Sequence, residues 1–213
     1  MEPEVMNVHP PERLRPDLSL ISDWIPPETH ILDLGCGEGA LLAYLHEERG
    51  VTGYGLEIDE DEIAAAVARG VNVIQGDVDD GLQQFATGSF DFVVMTQALQ
   101  ALQRPDLAIG EMLRVGRTAI VTFPNFGHWM ARIDVMGGRM PRTRTMPDNW
   151  YDSDNIHLCT VRDFEALCQD NGWRITRRNL LNHDHQDGWL QRVSPNLFTE
   201  IAVYMLESEQ RSK

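Results

Sequence analysis

The chain has 213 residues, a formal net charge of −15, and 42% hydrophobic against 24% charged residues. These proportions exclude a disordered chain, and the length fits one domain with its own core, which we expect to span residues 1–213. The negative charge repels phosphate backbones, so nucleic acid is not an expected partner.

The sequence has no feature of a membrane or secreted protein. No window has the apolar length of a membrane span, and the first residues lack the basic and apolar regions of a signal peptide. The three cysteines, Cys36, Cys159 and Cys168, are odd in number and lack metal-site spacing. We therefore expect a protein of the reducing cytoplasm, with no membrane partner.

A short amphipathic segment at 16–25 is followed by the most informative stretch of the chain, Ile31–Gly39, with the sequence ILDLGCGEG. An apolar run containing Asp33 breaks into alternate glycines, and leucines then return at helical spacing, which predicts strand, tight turn and helix. Glycines let the backbone approach a ligand, and the helix start directs N–H groups toward it. Because a carboxylate in an apolar strand needs a partner, we expect a ligand with donors or positive charge.

Two further acids follow in matching settings, Glu57 after GYGL and Asp77 after VNVIQG. Intervals of 24 and 20 residues separate Asp33, Glu57 and Asp77, and each is long enough for one helix and one strand. Three consecutive parallel strands would then end in acids at the carboxyl edge of a sheet, where open α/β sheets bind ligands. The glycines also fit the dinucleotide pattern G-x-G-x-x-A, so an NAD-binding oxidoreductase stays open, although it leaves Asp33 and Asp77 unexplained.

The rest of the chain predicts further helices and strands. Thr160 and Asp163 resemble a capping box, and the helix that follows places Cys168 on its apolar face, which favours a core residue over a nucleophile. The other predicted elements are helices at 60–69 and 105–115, parallel strands at 90–95 and 118–123, and an antiparallel pair of strands at 173–177 and 198–206.

Two long connections remain, at about 124–159 after the fifth strand and at 179–196. Loops of this length are usually functional or disordered. The segment 126–146 has four arginines against one acid, with aromatic residues, which indicates either a contact surface or an insertion that balances neighbouring acids. In the second connection, the sequence His183-Asp184-His185 is too little to assign a metal site.

The glycine turn and the three acids resemble the class I methyltransferases that use S-adenosylmethionine (SAM). This resemblance implies a doubly wound, mostly parallel, Rossmann-like α/β sheet of seven strands whose last strand is antiparallel. It implies that the glycine turn wraps the methionine part, that Asp33 serves the amino group and Glu57 the ribose hydroxyls, and that Asp77 binds the adenine amino group. The first helix would pack across the ligand side of the sheet. The expected binding residues for SAM or S-adenosylhomocysteine are Asp33, Gly35, Cys36, Gly37, Glu57, Ile58, Asp77, Val78 and Gln97.

More specific segments resemble the MetW family of methionine biosynthesis proteins, over about residues 15–175. The resemblance implies an association with the homoserine O-acyltransferase MetX, and no firmly established methyl acceptor. One departure is Ser153-Asp154, where the family pattern has Thr-Pro. The segments that carry the resemblance are 89–91, 97–100, 111–116, 123–129, 138–141 and 155–160.

The residues leave the reaction open. Met95-Thr96-Gln97-Ala98 at the end of the fourth strand differs from the Asn-Pro-Pro-aromatic motif of amino-group methyltransferases. His128 and His157 are candidate bases, but a loop histidine more often bonds locally, so no catalytic residue is assigned. The first hypothesis is a SAM-binding subunit that supports or regulates homoserine acylation. The others are a small-molecule methyltransferase and a scaffold with a vestigial pocket.

Overall fold

The computed structural model describes residues 14–153, 155–182 and 189–208. Within these ranges, seven strands form one sheet in the order β3-β2-β1-β4-β5-β7-β6. Strand β7 runs antiparallel to both of its neighbours, β5 and β6, and the other pairings among these strands are parallel, which confirms the predicted mostly parallel sheet with an antiparallel last strand. The strands are β1 (His30–Leu34), β2 (Thr52–Glu57), β3 (Val73–Gln75), β4 (Phe90–Thr96), β5 (Gly116–Pro124), β6 (Trp173–Leu181) and β7 (Ile201–Ser208).

Helices cover both faces of the sheet. One buried cluster joins α1, α2 and α3 to one face, and a second joins α4 and α6 to the other. Period-two alternation in β1 explains this division, because Ile31 belongs to the first cluster while Leu32 and Leu34 belong to the second. The helices are α1 (Pro16–Trp24), α2 (Ala40–Arg49), α3 (Glu60–Ala68), α4 (Pro105–Val115), α5 (Trp129–Met136), α6 (Val161–Asp170), α7 (Trp189–Val193) and α8 (Pro195–Phe198).

The predicted cap of α6 is confirmed in a slightly different form. The Thr160 hydroxyl oxygen accepts a hydrogen bond from the Asp163 backbone N–H, as an N-cap does. The Asp163 carboxylate accepts a hydrogen bond from the Thr160 hydroxyl, where a capping box would use the backbone N–H of the cap residue. Cys168 is buried in the core, as predicted.

The largest differences from the prediction lie near the two long connections. Phe198, predicted to begin the last strand, ends α8, because Pro195 fixes a helical φ at the first turn and β7 starts only at Ile201. Strand β6 continues to Leu181, and its exposed edge carries arginines that hide the strand pattern. The connection after β5, predicted as a loop, contains α5.

Candidate functional site

The turn between β1 and α2 depends on its glycines. Gly35, Gly37 and Gly39 have φ angles of +66°, +52° and +73°, which side chains with a Cβ rarely adopt. The Gly35 N–H donates to the Leu56 carbonyl at 2.8 Å and so ties the turn to β2. A Cβ at Gly39 would lie 3.0 Å from the Ala66 side chain, so this glycine also permits the close packing of α2 and α3.

Glu57, at the end of β2, holds the neighbouring backbone in place. One carboxylate oxygen accepts from the Gly37 N–H at 2.9 Å. The other accepts from the N–H groups of Ile58 and Asp59 at 2.8 and 3.1 Å. This predicted ligand residue therefore also fixes the glycine turn and the entry to α3.

Asp33 is the most unusual group at this edge of the sheet. Its side chain is buried, and among the described residues its Oδ1 has no hydrogen-bond partner. Burial raises the pKa of Asp33 from 3.8 to about 7, while Arg15 opposes the shift and the Glu57 charge adds to it. A buried acceptor without a donor is costly, so this atom is expected to receive a donor from a ligand.

A cavity of about 600 Å³ opens between the glycine turn, the start of α1, one side of α2, and the two ends of α3. Four of the nine predicted ligand residues line it, namely Asp33, Gly35, Cys36 and Gly37. The other five, which lie outside this lining, are Glu57, Ile58, Asp77, Val78 and Gln97.

The predicted adenine and ribose residues follow β2 and β3 along the same carboxyl edge. Asp77 accepts the Asp79 N–H at 2.9 Å and so caps the short 3-10 turn that contains Val78. Ile58 is 59% exposed, which leaves an apolar side chain on the surface next to Glu57.

Gln97 is oriented differently from the expectation of a ligand contact. Its side-chain Nε2 donates to the buried Asp17 carboxylate at 2.8 Å, and its backbone has a left-handed φ of +58°. The backbone N–H donates to the Thr122 carbonyl and hydroxyl at 3.1 and 3.0 Å. The residue that reaches the cavity from this strand end is Thr96.

The first helix was predicted to pack across the ligand side of the sheet, but none of its residues was predicted to be part of the site. Arg15 lines the cavity, and Asp17 is 1% exposed under Gln97, 80 residues away in the sequence. An arginine and an aspartate around Pro16 resemble ordinary helix-start residues. A polar pair at the start of an amphipathic segment was the only available signal.

The candidate bases lie away from the cavity, whose lining contains no histidine among the described residues. His128 is buried at the start of α5, and burial lowers its pKa against the opposing charge of Glu200. The His157 Nε2 lies 3.1 Å from the Gln103 carbonyl. Burial raises the pKa of Cys36 to about 12, so its thiol is protonated and unsuited to nucleophilic attack.

No group of metal ligands occurs in the part of the chain that the structure describes, and His183-Asp184-His185 lie outside it. In the same ranges, no helix is long and apolar enough to cross a membrane. The described site is thus an acid-rich pocket with a glycine turn, one unsatisfied carboxylate oxygen and an arginine at its rim.

Comparison with known proteins identifies the family. The profile described as "Methionine biosynthesis protein MetW" matches residues 15–206. The chain belongs to the MetW family.

A bifunctional methionine biosynthesis protein MetXA/MetW of Rhodopirellula baltica is 32% identical over 208 residues, covering 93% of this chain and 33% of the relative. A norajmaline N-methyltransferase of Rauvolfia serpentina is 29% identical over 94 residues, covering 40% of this chain and 32% of that enzyme. The chain spans about a third of the length of these curated relatives.

Solved structures place this MetW family chain in a fold shared with SAM-dependent methyltransferases. A SAM-dependent methyltransferase from Mesorhizobium loti is 20% identical with a TM-score of 0.64, covering 91% of this chain and 98% of the other. A possible histamine N-methyltransferase from Thermotoga maritima is 17% identical with a TM-score of 0.64, covering 91% and 87%. At these identities the likeness concerns the fold alone, which is the predicted class I fold.

Proposed function

We propose that this chain binds SAM or S-adenosylhomocysteine in the cavity beside the glycine turn and acts in methionine biosynthesis in the cytoplasm. The observation that carries the proposal is the buried Asp33 Oδ1, which lines a cavity bounded by left-handed glycines and has no donor among the described residues. The α-ammonium of a methionine tail supplies such a donor and a positive charge. A cavity of about 600 Å³ is also of the size that holds a small cofactor.

The roles proposed for the other residues follow the direction of the strands. Gly35, Cys36 and Gly37 would border the methionine part, and Glu57 would accept from the ribose hydroxyls. The three backbone N–H groups that donate to Glu57 fix the orientation of both of its carboxylate oxygens for that contact. Residues Ile58, Asp77 and Val78 keep their predicted place at the adenine end, and Gln97 acts at the strand edge through its hydrogen bond to Asp17, as part of the proposal.

Calorimetric titration with SAM, S-adenosylhomocysteine and NAD tests this function. Wild-type protein is expected to bind the first two and not NAD. Glu57→Ala should weaken SAM binding at least about tenfold, since a charged hydrogen bond contributes roughly 1.5–3 kcal/mol. Asp23→Asn is the matched control, because this acid lies on the surface with Arg49. Unchanged affinity in Glu57→Ala would contradict its assigned role, and a preference for NAD would contradict the ligand class.

We also propose that the chain acts with a homoserine O-acyltransferase. The R. baltica relative is named as a bifunctional MetXA/MetW protein, which supports a functional association of the two activities. Helix α5 supplies a suitable surface here, because Trp129, Ile133 and Met136 share one face and are 43%, 57% and 88% exposed. Apolar and aromatic side chains beside arginines are the residue types of interface hot spots.

Co-purification with the acyltransferase tests this surface. Charge reversal of Arg139, Arg142 and Arg144 to Glu should abolish or strongly weaken the association, because segment 126–146 is basic in an acidic chain. The control is the double variant Arg117→Glu/Arg162→Glu, which reverses two exposed arginines elsewhere. Retained association of the triple variant would exclude the surface, and no association of the wild type would exclude the partner.

A methyltransferase acting on a small molecule is the second candidate, favoured by the fold of the structural neighbours. Purified protein is expected to release little S-adenosylhomocysteine with generic acceptors, because no histidine lines the described cavity. Robust turnover with homoserine, a pathway thiol or another metabolite would make this the leading function. Variants His128→Ala and His157→Ala would then report which base takes part.

A further inference from the structure

Arg15 gives the cavity, whose lining also contains Glu38, Glu47 and Glu62, a positively charged group that the predicted ligand residues do not include. It immediately precedes α1 and lines the cavity together with Asp33 and the glycine turn. Its charge is close enough to oppose the rise in the pKa of Asp33. The cavity wall therefore combines a buried carboxylate with a guanidinium at its rim.

A network of polar side chains around the buried Asp17 holds Arg15 at the start of α1. The Asp17 side chain is 2% exposed and accepts from the Gln97 Nε2 at 2.8 Å, while the Arg15 guanidinium lies 3.4 Å from the same oxygen. Gln97 in turn is bound through its backbone to Thr122 at the end of β5. The start of α1 is thereby attached to the carboxyl edge of β4 and β5.

The guanidinium of Arg15 keeps donors available for a ligand. Its contact with Asp17 is longer than the roughly 2.7–2.9 Å of a strong charged hydrogen bond, and its side chain is 53% exposed. A guanidinium has about five N–H donors in a planar fork, which suits a carboxylate. Arg69, the other arginine of the cavity wall, instead pairs with Glu38.

We propose that Arg15 binds the α-carboxylate of the ligand and, together with Asp33 at the α-ammonium, selects ligands with an intact zwitterionic amino-acid tail. This inference rests on the proposed function and adds to it a specificity for the amino-acid tail of the ligand. It assigns Asp17 and Gln97 as positioning residues, because they hold Arg15 at the rim without lining the cavity themselves.

Calorimetry with SAM and decarboxylated SAM separates the two charged groups, since the second ligand keeps the amine and lacks the carboxylate. Wild-type protein is expected to prefer SAM by about tenfold or more. Arg15→Gln should reduce that preference to about threefold or less while leaving the affinity for decarboxylated SAM within about twofold of wild type. Arg162→Gln, at an exposed arginine of α6 outside the cavity lining, is the control and should retain the wild-type preference.

The outcomes are distinguishable. SAM binding in which Arg15→Gln keeps the full preference over decarboxylated SAM would overturn the role of Arg15 and leave the proposed function intact. Equal binding of both ligands by wild-type protein would do the same. Binding of neither ligand, nor of S-adenosylhomocysteine, by wild-type protein would overturn the proposed function and this inference with it.

Discussion

At the residue scale, Asp33 lowers the stability of the folded protein because its carboxylate is buried. Its neighbours in β1 are apolar and buried, and its Oδ1 lacks a donor within the described residues. The carboxyl therefore keeps its proton up to a pKa of about 7. The folded protein binds this proton more tightly than the unfolded chain, where the pKa is 3.8, so stability falls as pH rises from about 4 to about 7.

Replacing Asp33 with Asn should separate stability from binding. Without ligand, Asp33→Asn should be more stable than wild type by about 2 kcal/mol at pH 8, because it removes the buried charge, and the gain should shrink toward pH 5. Urea denaturation at both pH values measures this difference, and calorimetry should show at least about tenfold weaker SAM binding. Asp23→Asn on the surface should change stability by less than about 0.5 kcal/mol. A gain that is the same at both pH values would contradict the assignment of the pKa.

At the scale of elements, the site depends on the fit between the glycine turn and β2. Backbone hydrogen bonds join Gly35 to Leu56, and Cys36 packs on Gly55, where a Cβ would overlap its sulfur. Gly55 lies within β2 and pairs with Asp33 across the ladder. The strand thus keeps a glycine where the turn approaches it most closely.

Gly55→Ala should therefore destabilise the protein by about 1–3 kcal/mol and also weaken SAM binding, since the added methyl group displaces Cys36 and the turn. Thermal unfolding and calorimetry measure the two effects. Gly110→Ala is a matched control within α4, where an added Cβ would approach only the Trp173 ring, at 4.0 Å. It should stabilise the protein by about 0.5–1 kcal/mol. An unchanged Gly55→Ala protein would contradict tight packing of the turn on β2.

At the scale of the whole molecule, Asn125 joins segments that are far apart in the chain. Its side chain is 1% exposed, and its Nδ2 donates to the carbonyls of Asn196 and Thr199 at 3.1 and 2.7 Å. Its Oδ1 accepts from the N–H groups of Gly127 and Val161 at 3.0 and 3.2 Å. One amide thus links the end of β5 to the starts of α5 and α6 and to α8.

Asn125→Ala should lower the free energy of unfolding by about 2–4 kcal/mol, because it leaves several buried polar groups without partners. Chemical denaturation measures the loss. Asn72→Ala, at an exposed asparagine, should change stability by less than about 0.5 kcal/mol. A loss below 1 kcal/mol in Asn125→Ala would show that these segments are held mainly by apolar packing.

The sheet and the glycine turn were predictable because their signals lie in contiguous residues. An apolar run, alternate glycines and the helical spacing of Leu41, Leu42 and Leu45 each describe one local element, and the structure confirms those elements. Helix α5 was missed because its apolar side chains face outward, with only Ala131 buried, so the usual contrast between buried and exposed faces is weak. The end of β6 was missed because arginines occupy an edge strand.

The sequence by itself determined most helices and strands and the three acids at the carboxyl edge, since local periodicity and interval length describe contiguous elements. The class of fold came from the resemblance of its motifs to class I methyltransferases. Only the tertiary structure decided that Arg15 and Asp17 lie at that edge, and that Gln97 is turned to Asp17 and away from the cavity. The physical reason is that these contacts join segments up to 80 residues apart and depend on how α1 packs across the sheet. Local sequence patterns determined where the helices and strands form, and long-range packing determined which side chains meet at the pocket.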